Sequence, residues 1–126
     1  MMKYEFTLHR RKITIRATAN ETTEVDLILD TGAGTTVLSE RTAILLGYNP
    51  KMLPISENFV AAGGRVNAKI LKLNEFEAFG KKVKNFNVAV LPLPLQILAD
   101  GLLGVDFLQS FKKFSLNFET NEIEVD

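Results

Sequence analysis

The run Leu27-Ile28-Leu29-Asp30-Thr31-Gly32-Ala33-Gly34-Thr35-Thr36-Val37-Leu38 places one carboxylate where two apolar segments meet. An acid held on a buried turn is costly unless it is hydrogen-bonded, neutralised or paired, so packing alone does not account for Asp30. Gly32 removes a Cβ and lets backbone approach the acid or a ligand, and Thr31 adds a short hydroxyl for a local or cross-chain hydrogen bond. The chemistry open to such a group is proton transfer, since a positioned carboxyl can take a proton or give one. The turn is expected to hold a functional acid.

Composition removes several other chemistries. The chain has 126 residues, enough for one domain over 1–126 with a sizeable core. Its 15 basic and 15 acidic residues leave no net charge, so no electrostatic footprint for nucleic acid or an anionic membrane is present. Cysteine is absent and histidine occurs once, which excludes disulfides, thiol nucleophiles, cysteine zinc sites and a multi-histidine metal site. No cofactor is expected. No apolar run approaches the roughly 18 residues that a spanning helix needs, and Met-Met-Lys-Tyr-Glu-Phe has no signal core, so a soluble, cytoplasmic protein is expected.

The elements that must position Asp30 follow from alternation. Tyr4 to Leu8 reads as a strand, and Ile13, Ile15 and Ala17 alternate with polar neighbours over Lys12 to Thr18. His9-Arg10-Arg11 between them reads as a solvated turn. Ala19-Asn20-Glu21-Thr22 turns the chain back, and Glu24 to Leu29 returns with Val25, Leu27 and Leu29 on one side, delivering Asp30 at its end. Ser39 is placed to cap a short helix over Glu40 to Leu46, with Ala43, Ile44 and Leu46 inward and Gly47 as its stop. Tyr48 to Glu57, with Pro50 and Pro54, reads as loop. Gly63-Gly64 between strand-like runs predicts a hairpin, and Phe76 to Phe79 with Val83 to Leu91 a second one around Gly80-Lys81-Lys82. Phe114 to Glu119 and Glu122 to Val125 form a last hairpin at Thr120-Asn121, whose C-terminal strand is a candidate for intermolecular pairing as an open edge. The pattern as a whole predicts an all-β, mainly antiparallel fold with one or two short helices around a core rich in the nine phenylalanines.

Asp30-Thr31-Gly32-Ala33 after an apolar strand, followed by Thr36-Val37-Leu38-Ser39, resembles the first active-site motif of the retropepsin-like aspartic proteases. Ala99-Asp100-Gly101-Leu102-Leu103-Gly104-Val105-Asp106-Phe107-Leu108 is similar to the second motif of that family, in which two apolar residues and a glycine lead into the C-terminal helix. The resemblance covers Val25 to the C-terminus. It implies a closed acid-protease barrel, peptide-bond hydrolysis, and a homodimer, because the family's reaction uses two carboxylates and this chain offers one Asp-Thr-Gly. In that picture Asp30, Thr31 and Gly32 are catalytic, with Thr31 bonding across to its counterpart and Gly32 leaving room for substrate carbonyls. Ala62, Gly63 and Gly64 form a flap over the substrate, and Ala33, Asp100 and Leu102 line the substrate site.

Two other acids carry structural readings. Asp106 followed by Gln109 fits a capping box for a helix over Phe107 to Phe111. Asp100-Gly101 is equally a turn former. One residue departs from the family's pattern: Val105 stands where retroviral members carry an Arg that ties the dimer by an ion pair, so a dimer here must be held in another way. An alternative is therefore a retropepsin-like dimerisation or peptide-binding module with little or no catalysis, although such a module has no use for a buried acid. The same run is also similar to the phosphate loop of the actin and sugar-kinase type, but that fold needs two α/β domains and the chain is too short for them.

Overall fold

Apolar and polar residues that alternate along the sequence become strand throughout the computed structural model, which describes residues 1–61 and 64–126. The strand expected over Tyr4 to Leu8 divides at Phe6 into β1 (Met2–Glu5) and β2 (Thr7–His9). The buried Phe6, whose N–H donates to the Asn121 carbonyl at 2.9 Å, marks the point where the chain passes from one sheet to another. β3 (Lys12–Ala19) follows a two-residue turn in which Arg10 (φ 49°) and Arg11 (φ 65°) are both left-handed, the backbone that matches strand twist. β4 (Thr23–Leu29) then pairs with β3, setting Ile15 opposite Leu27 and Ala17 opposite Val25, so that all four enter the core from one face.

β5 (Val37–Ser39) runs directly into α1 (Glu40–Leu45), and the Ser39 hydroxyl accepts the Thr42 N–H at 3.1 Å as its capping position predicts. The expected inward set needs one correction. Ala43 is buried and Leu46 packs on the core, but Ile44 is 59 % exposed. The cap turns Thr42 inward instead, where its hydroxyl meets Ser39 and Asp100. Tyr48 to Glu57 is also more ordered than a loop, with a 3-10 turn at Pro50–Met52 and the start of β6 (Ile55–Ala61). Proline lacks a donor but keeps its acceptor, and the Pro54 carbonyl takes the Ile70 N–H at 2.9 Å to begin the next ladder.

β7 (Gly64–Ala78) and β8 (Lys81–Leu91) are joined by Phe79 (φ 52°) and Gly80 (φ 72°), one residue earlier than the Gly80-Lys81-Lys82 run suggests. After a 3-10 turn at Leu95–Ile97 come β9 (Gly101–Leu103), α2 (Val105–Leu108), β10 (Phe114–Asn117) and β11 (Glu122–Val125). α2 is shorter than the expected helix over Phe107 to Phe111. Its anchor is Phe107, buried edge-on against Phe76 with ring centroids 5.1 Å apart.

The larger sheet runs β2-β3-β4-β9-β5-β8-β7-β6, and β3 also meets β7 at Thr18–Glu77 and Ala19–Phe76. This extra pairing closes six strands, from β3 through β4, β9, β5 and β8 to β7, into the expected barrel. Most pairs are antiparallel, but β4–β9 and β5–β8 are parallel. β9 lies between β4 and β5, and β5 lies between β9 and β8, so two strand-and-glycine-turn units interlock about the β5–β9 pair. In the smaller sheet, β1-β11-β10, the C-terminal strand is central and paired on both sides, which removes it as an open edge. Burial explains the placement: Ile123 and Val125 belong to the core and need a strand on each side to cover their backbone.

Candidate active site

Asp30 stands where β4 leaves the sheet. Its N–H still donates to the Leu103 carbonyl of β9 (3.0 Å), so the backbone is fixed as far as the acid, and its own carbonyl accepts the Ala33 N–H (3.1 Å) to start the turn. Its Oδ1 accepts the Gly32 N–H at 2.9 Å. A Cβ on Gly32 would sit 3.2 Å from that oxygen, so glycine is what lets the amide come round to the carboxylate. The depth of the acid differs from expectation. Leu27, Val37 and Leu38 on either side are buried, but Asp30 is half-buried and Thr31, Gly32 and Gly34 are exposed, because the residues between the two strands leave the sheet.

Strand alternation tells which surface the acid serves. Leu27 faces the main core, so Ile28 and then Asp30 project from the other side of the wall. Leu102 stands beside Ile28 in the β4–β9 register and beside Val37 in the β5–β9 register. There it joins a second apolar cluster of Val37, Ala68 and Ala89 with the half-buried Phe59, Leu91 and Leu93. Leu102 is thus on the face of the acid. A groove of about 580 Å³ on this face is lined by Thr14, Ile28, Ile97 and Leu98 among others, and a larger one of about 1070 Å³ lies away from it, against Tyr4, Phe79 and Phe111. Neither groove contains Asp30.

The remaining candidates are placed as follows. Ala33 is in the turn, with its carbonyl accepting the Val105 N–H at 2.8 Å. Asp100 is at the far end of β9 from the acid. Its Oδ2 accepts the Asp26 N–H (2.8 Å) and its Oδ1 the Thr42 hydroxyl (3.3 Å), so both carboxylate oxygens are engaged within the chain. Gly64 closes the β6–β7 hairpin with φ 115°, opposite Ala61, while Ala62 and Gly63 lie outside the described residues. His9 is exposed and ends β2, in keeping with a solvated turn. Among the described residues no group of three or more His, Cys, Asp or Glu could hold a metal ion. The hydrogen bonds of Arg16 to Asp26, with the Coulomb field of Asp26 and Glu24, hold its guanidinium above its usual pKa on the outer face of the β3–β4 hairpin.

Sequence reasoning missed how the two glycine motifs are joined. Asp106 does not form a capping box, because the N-cap of α2 is Gly104 and makes no side-chain cap bond. The Asp106 carboxylate turns instead to Thr36, accepting its hydroxyl at 2.7 Å on Oδ1 and its N–H at 3.0 Å on Oδ2. Gly104 N–H donates to the same Thr36 hydroxyl at 3.1 Å. The available signal was Thr36 next to the apolar pair Val37-Leu38, a hydroxyl that needs a polar partner once buried.

The sequence matches the family model described as aspartyl protease over residues 15–107, well over half of the chain. The chain belongs to the aspartyl protease family. No curated protein matches it significantly. Among solved structures, a retropepsin-like aspartic protease from Rickettsia conorii superposes with a TM-score of 0.74 at 24% identity, covering 98% of this chain and 88% of that one. The EIAV protease complexed with the inhibitor HBY-793 gives 0.63 at 25% identity, over 80% of this chain and 88% of that one. The retroviral protease-like domain of Ddi1 from Leishmania major gives 0.62 at 20% identity, over 91% and 88%. The barrel of this aspartyl protease family member is retropepsin-like. No helix among the described residues is long and apolar enough to cross a membrane.

Proposed function

We propose that residues 1–126 act as one domain of an aspartic endopeptidase, a cytoplasmic homodimer in which Asp30 of each copy supplies half of a catalytic pair. The observation that carries this reading is the turn at Asp30: a half-buried acid fixed by the Leu103 carbonyl and the Gly32 amide, on a barrel of the aspartyl protease family. One chain has a single Asp-Thr-Gly, and Asp30 lies in neither of the two grooves described, so a second copy supplies both the other acid and the opposing wall.

Two carboxyls brought face to face cannot both ionise, so one remains a carboxylate and the other a carboxylic acid. The carboxylate takes a proton from water as its oxygen attacks the peptide carbon, and the acid gives its proton to the carbonyl oxygen. The resulting tetrahedral diol collapses with cleavage of the C–N bond, the amine leaving with a proton from the pair. Thr31, exposed beside the acid, is free to bond to its counterpart in the second copy, and Gly32 and Ala33 leave room for the substrate backbone. Leu102 contributes an apolar wall, Ala62, Gly63 and Gly64 the flap, and Asp100 acts on the substrate site through the residues it holds.

The test is a peptide library incubated with the protein and with Asp30→Asn, the products being sequenced. Cleavage at defined bonds that the mutant lacks supports the assignment. Folded wild-type protein that cleaves nothing would favour a dimerisation or peptide-binding module, the reading suggested by Val105 at the family's interface-Arg position.

A further inference from the structure

Six hydrogen bonds join residues 103–106 to the loop that carries Asp30. They run from Asp30 N–H to Leu103 O, Val105 N–H to Ala33 O (2.8 Å), Asp106 N–H to Gly34 O (3.2 Å), Gly104 N–H to the Thr36 hydroxyl (3.1 Å), and from the Thr36 N–H and hydroxyl to the Asp106 carboxylate. We propose that Asp106 is the positioning residue for Asp30: through the buried Thr36 it locks the far end of the catalytic loop, and so sets where the acid points. The inference rests on the reading of Asp30 as the reacting acid.

The direction of the network leaves Asp106 without a substitute. A threonine hydroxyl has one proton, and at Thr36 it goes to Asp106 Oδ1 while the oxygen accepts the Gly104 N–H. Thr36 is fully buried, so its N–H and hydroxyl have no water to fall back on if the carboxylate is removed. The other acceptor contact of Asp106 is the Phe107 N–H at 2.9 Å, at the first turn of α2. No ion pair involves Asp106 among the described residues, so its charge is met by these N–H and O–H donors. A chain of donors ending on an ionised oxygen is stronger than neutral pairs, which suits it to hold a loop whose tip residues are exposed.

The loop is thereby gripped at both ends, by Leu103 at Asp30 and by Asp106 at Thr36, with Gly104 seated between. A Cβ on Gly104 would come 2.8 Å from the Ala33 carbonyl oxygen, so this seat has no slack. Without the Asp106 side chain the Asp30 end stays bonded to β9 and the backbone bonds at the Ala33, Gly34 and Thr36 carbonyls remain, but the Thr36 N–H and hydroxyl lose their acceptor and that end of the loop is loosened. The Gly32 N–H then loses its fixed approach to Asp30 Oδ1. The acid keeps its chemistry and loses its aim.

The experiment compares Asp106→Ala, Asp106→Asn, Thr36→Val and Thr36→Ser with wild type in peptide cleavage, together with hydrogen exchange at the Gly32 amide. For Asp106→Ala and Thr36→Val, the expectation is a kcat lower by about 10- to 100-fold with KM within about twofold, and faster Gly32 exchange, at temperatures where each variant is folded. Thr36→Ser keeps the hydroxyl and should restore both readouts. Asp106→Asn keeps an acceptor for the hydroxyl but sets an amide against the Thr36 N–H, and should fall between. Asp106→Ala, or Thr36→Val should the former not fold, with wild-type kcat and wild-type Gly32 exchange would overturn the inference, as would a Thr36→Ser as impaired as Thr36→Val. Absence of Asp30-dependent cleavage in wild type would instead remove the reading of the site, while Gly32 exchange still decides whether Asp106 holds the loop.

Discussion

A Cβ on Gly101 would overlap the carbonyl oxygen of Val37 and stand 2.9 Å from its carbonyl carbon. β9 and β5 cross at this point, where Gly101 lies opposite Leu38, and the close approach is between backbones, which cannot rotate aside. Gly101→Ala is therefore expected to destabilise the protein by about 2–3 kcal/mol or more, by forcing apart the pair on which both glycine turns depend. Urea unfolding monitored by circular dichroism measures it, and a midpoint equal to wild type would remove this account of the crossing.

Asp30→Asn preserves size and keeps an oxygen for the Gly32 N–H. Its fold and melting temperature should match wild type, while cleavage drops by about three orders of magnitude or more as the only ionisable group of the turn disappears. A folded Asp30→Asn that cleaves as fast as wild type would end the protease assignment.

In the proposed mechanism each site draws one Asp30 from each of two chains, so rate per chain should decline steeply on dilution through the range where sedimentation shows a dimer separating. Excess Asp30→Asn should poison wild type through mixed dimers, once subunits have exchanged. Rate against pH should be bell-shaped, with its optimum on the acid side of neutrality. Activity needs one shared proton, so it is lost at low pH when both acids are protonated and at high pH when both are ionised. A monomer with constant rate per chain, or a rate still rising through pH 9, contradicts the shared pair.

Gly64 adopts φ 115°, a region that β-branched residues strongly avoid. Replacing Gly63 and Gly64 by Val should distort the β6–β7 hairpin locally and change kcat and KM together if that hairpin closes over substrate. Unchanged kinetics with an unchanged melting temperature would make it an ordinary surface hairpin.

What the sequence made legible was local. Alternation located β3 and β4 and the side on which Leu27 lies, and Ser39 marked the start of α1 through a bond that the structure contains. The Asp30 turn was legible because an acid between apolar runs is unusual. What alternation cannot carry is partnership across the chain. The role of Asp106 was assigned to its own helix, since Gln109 lies three residues on, whereas its carboxylate serves Thr36 on another element. The C-terminal strand read as an edge because nothing local in Glu122 to Val125 announces that β1 comes back to cover it. Ile44 was placed inward by helical spacing, but on a helix of six residues a capping serine and two hydroxyl bonds decide the orientation.

The clasp between Thr36 and Asp106 spans seventy residues of chain, and the parallel pairing of Leu29 with Leu103 is of similar reach. Contacts of such separation form late, because the intervening chain must first be ordered and its loop entropy overcome. During synthesis the first glycine turn emerges long before the second, and until residues 103–106 fold back it has no partner for its backbone. A half-made or half-folded chain therefore carries the acid but not the geometry that would arm it. Completion of the fold is itself what assembles the turn that holds Asp30.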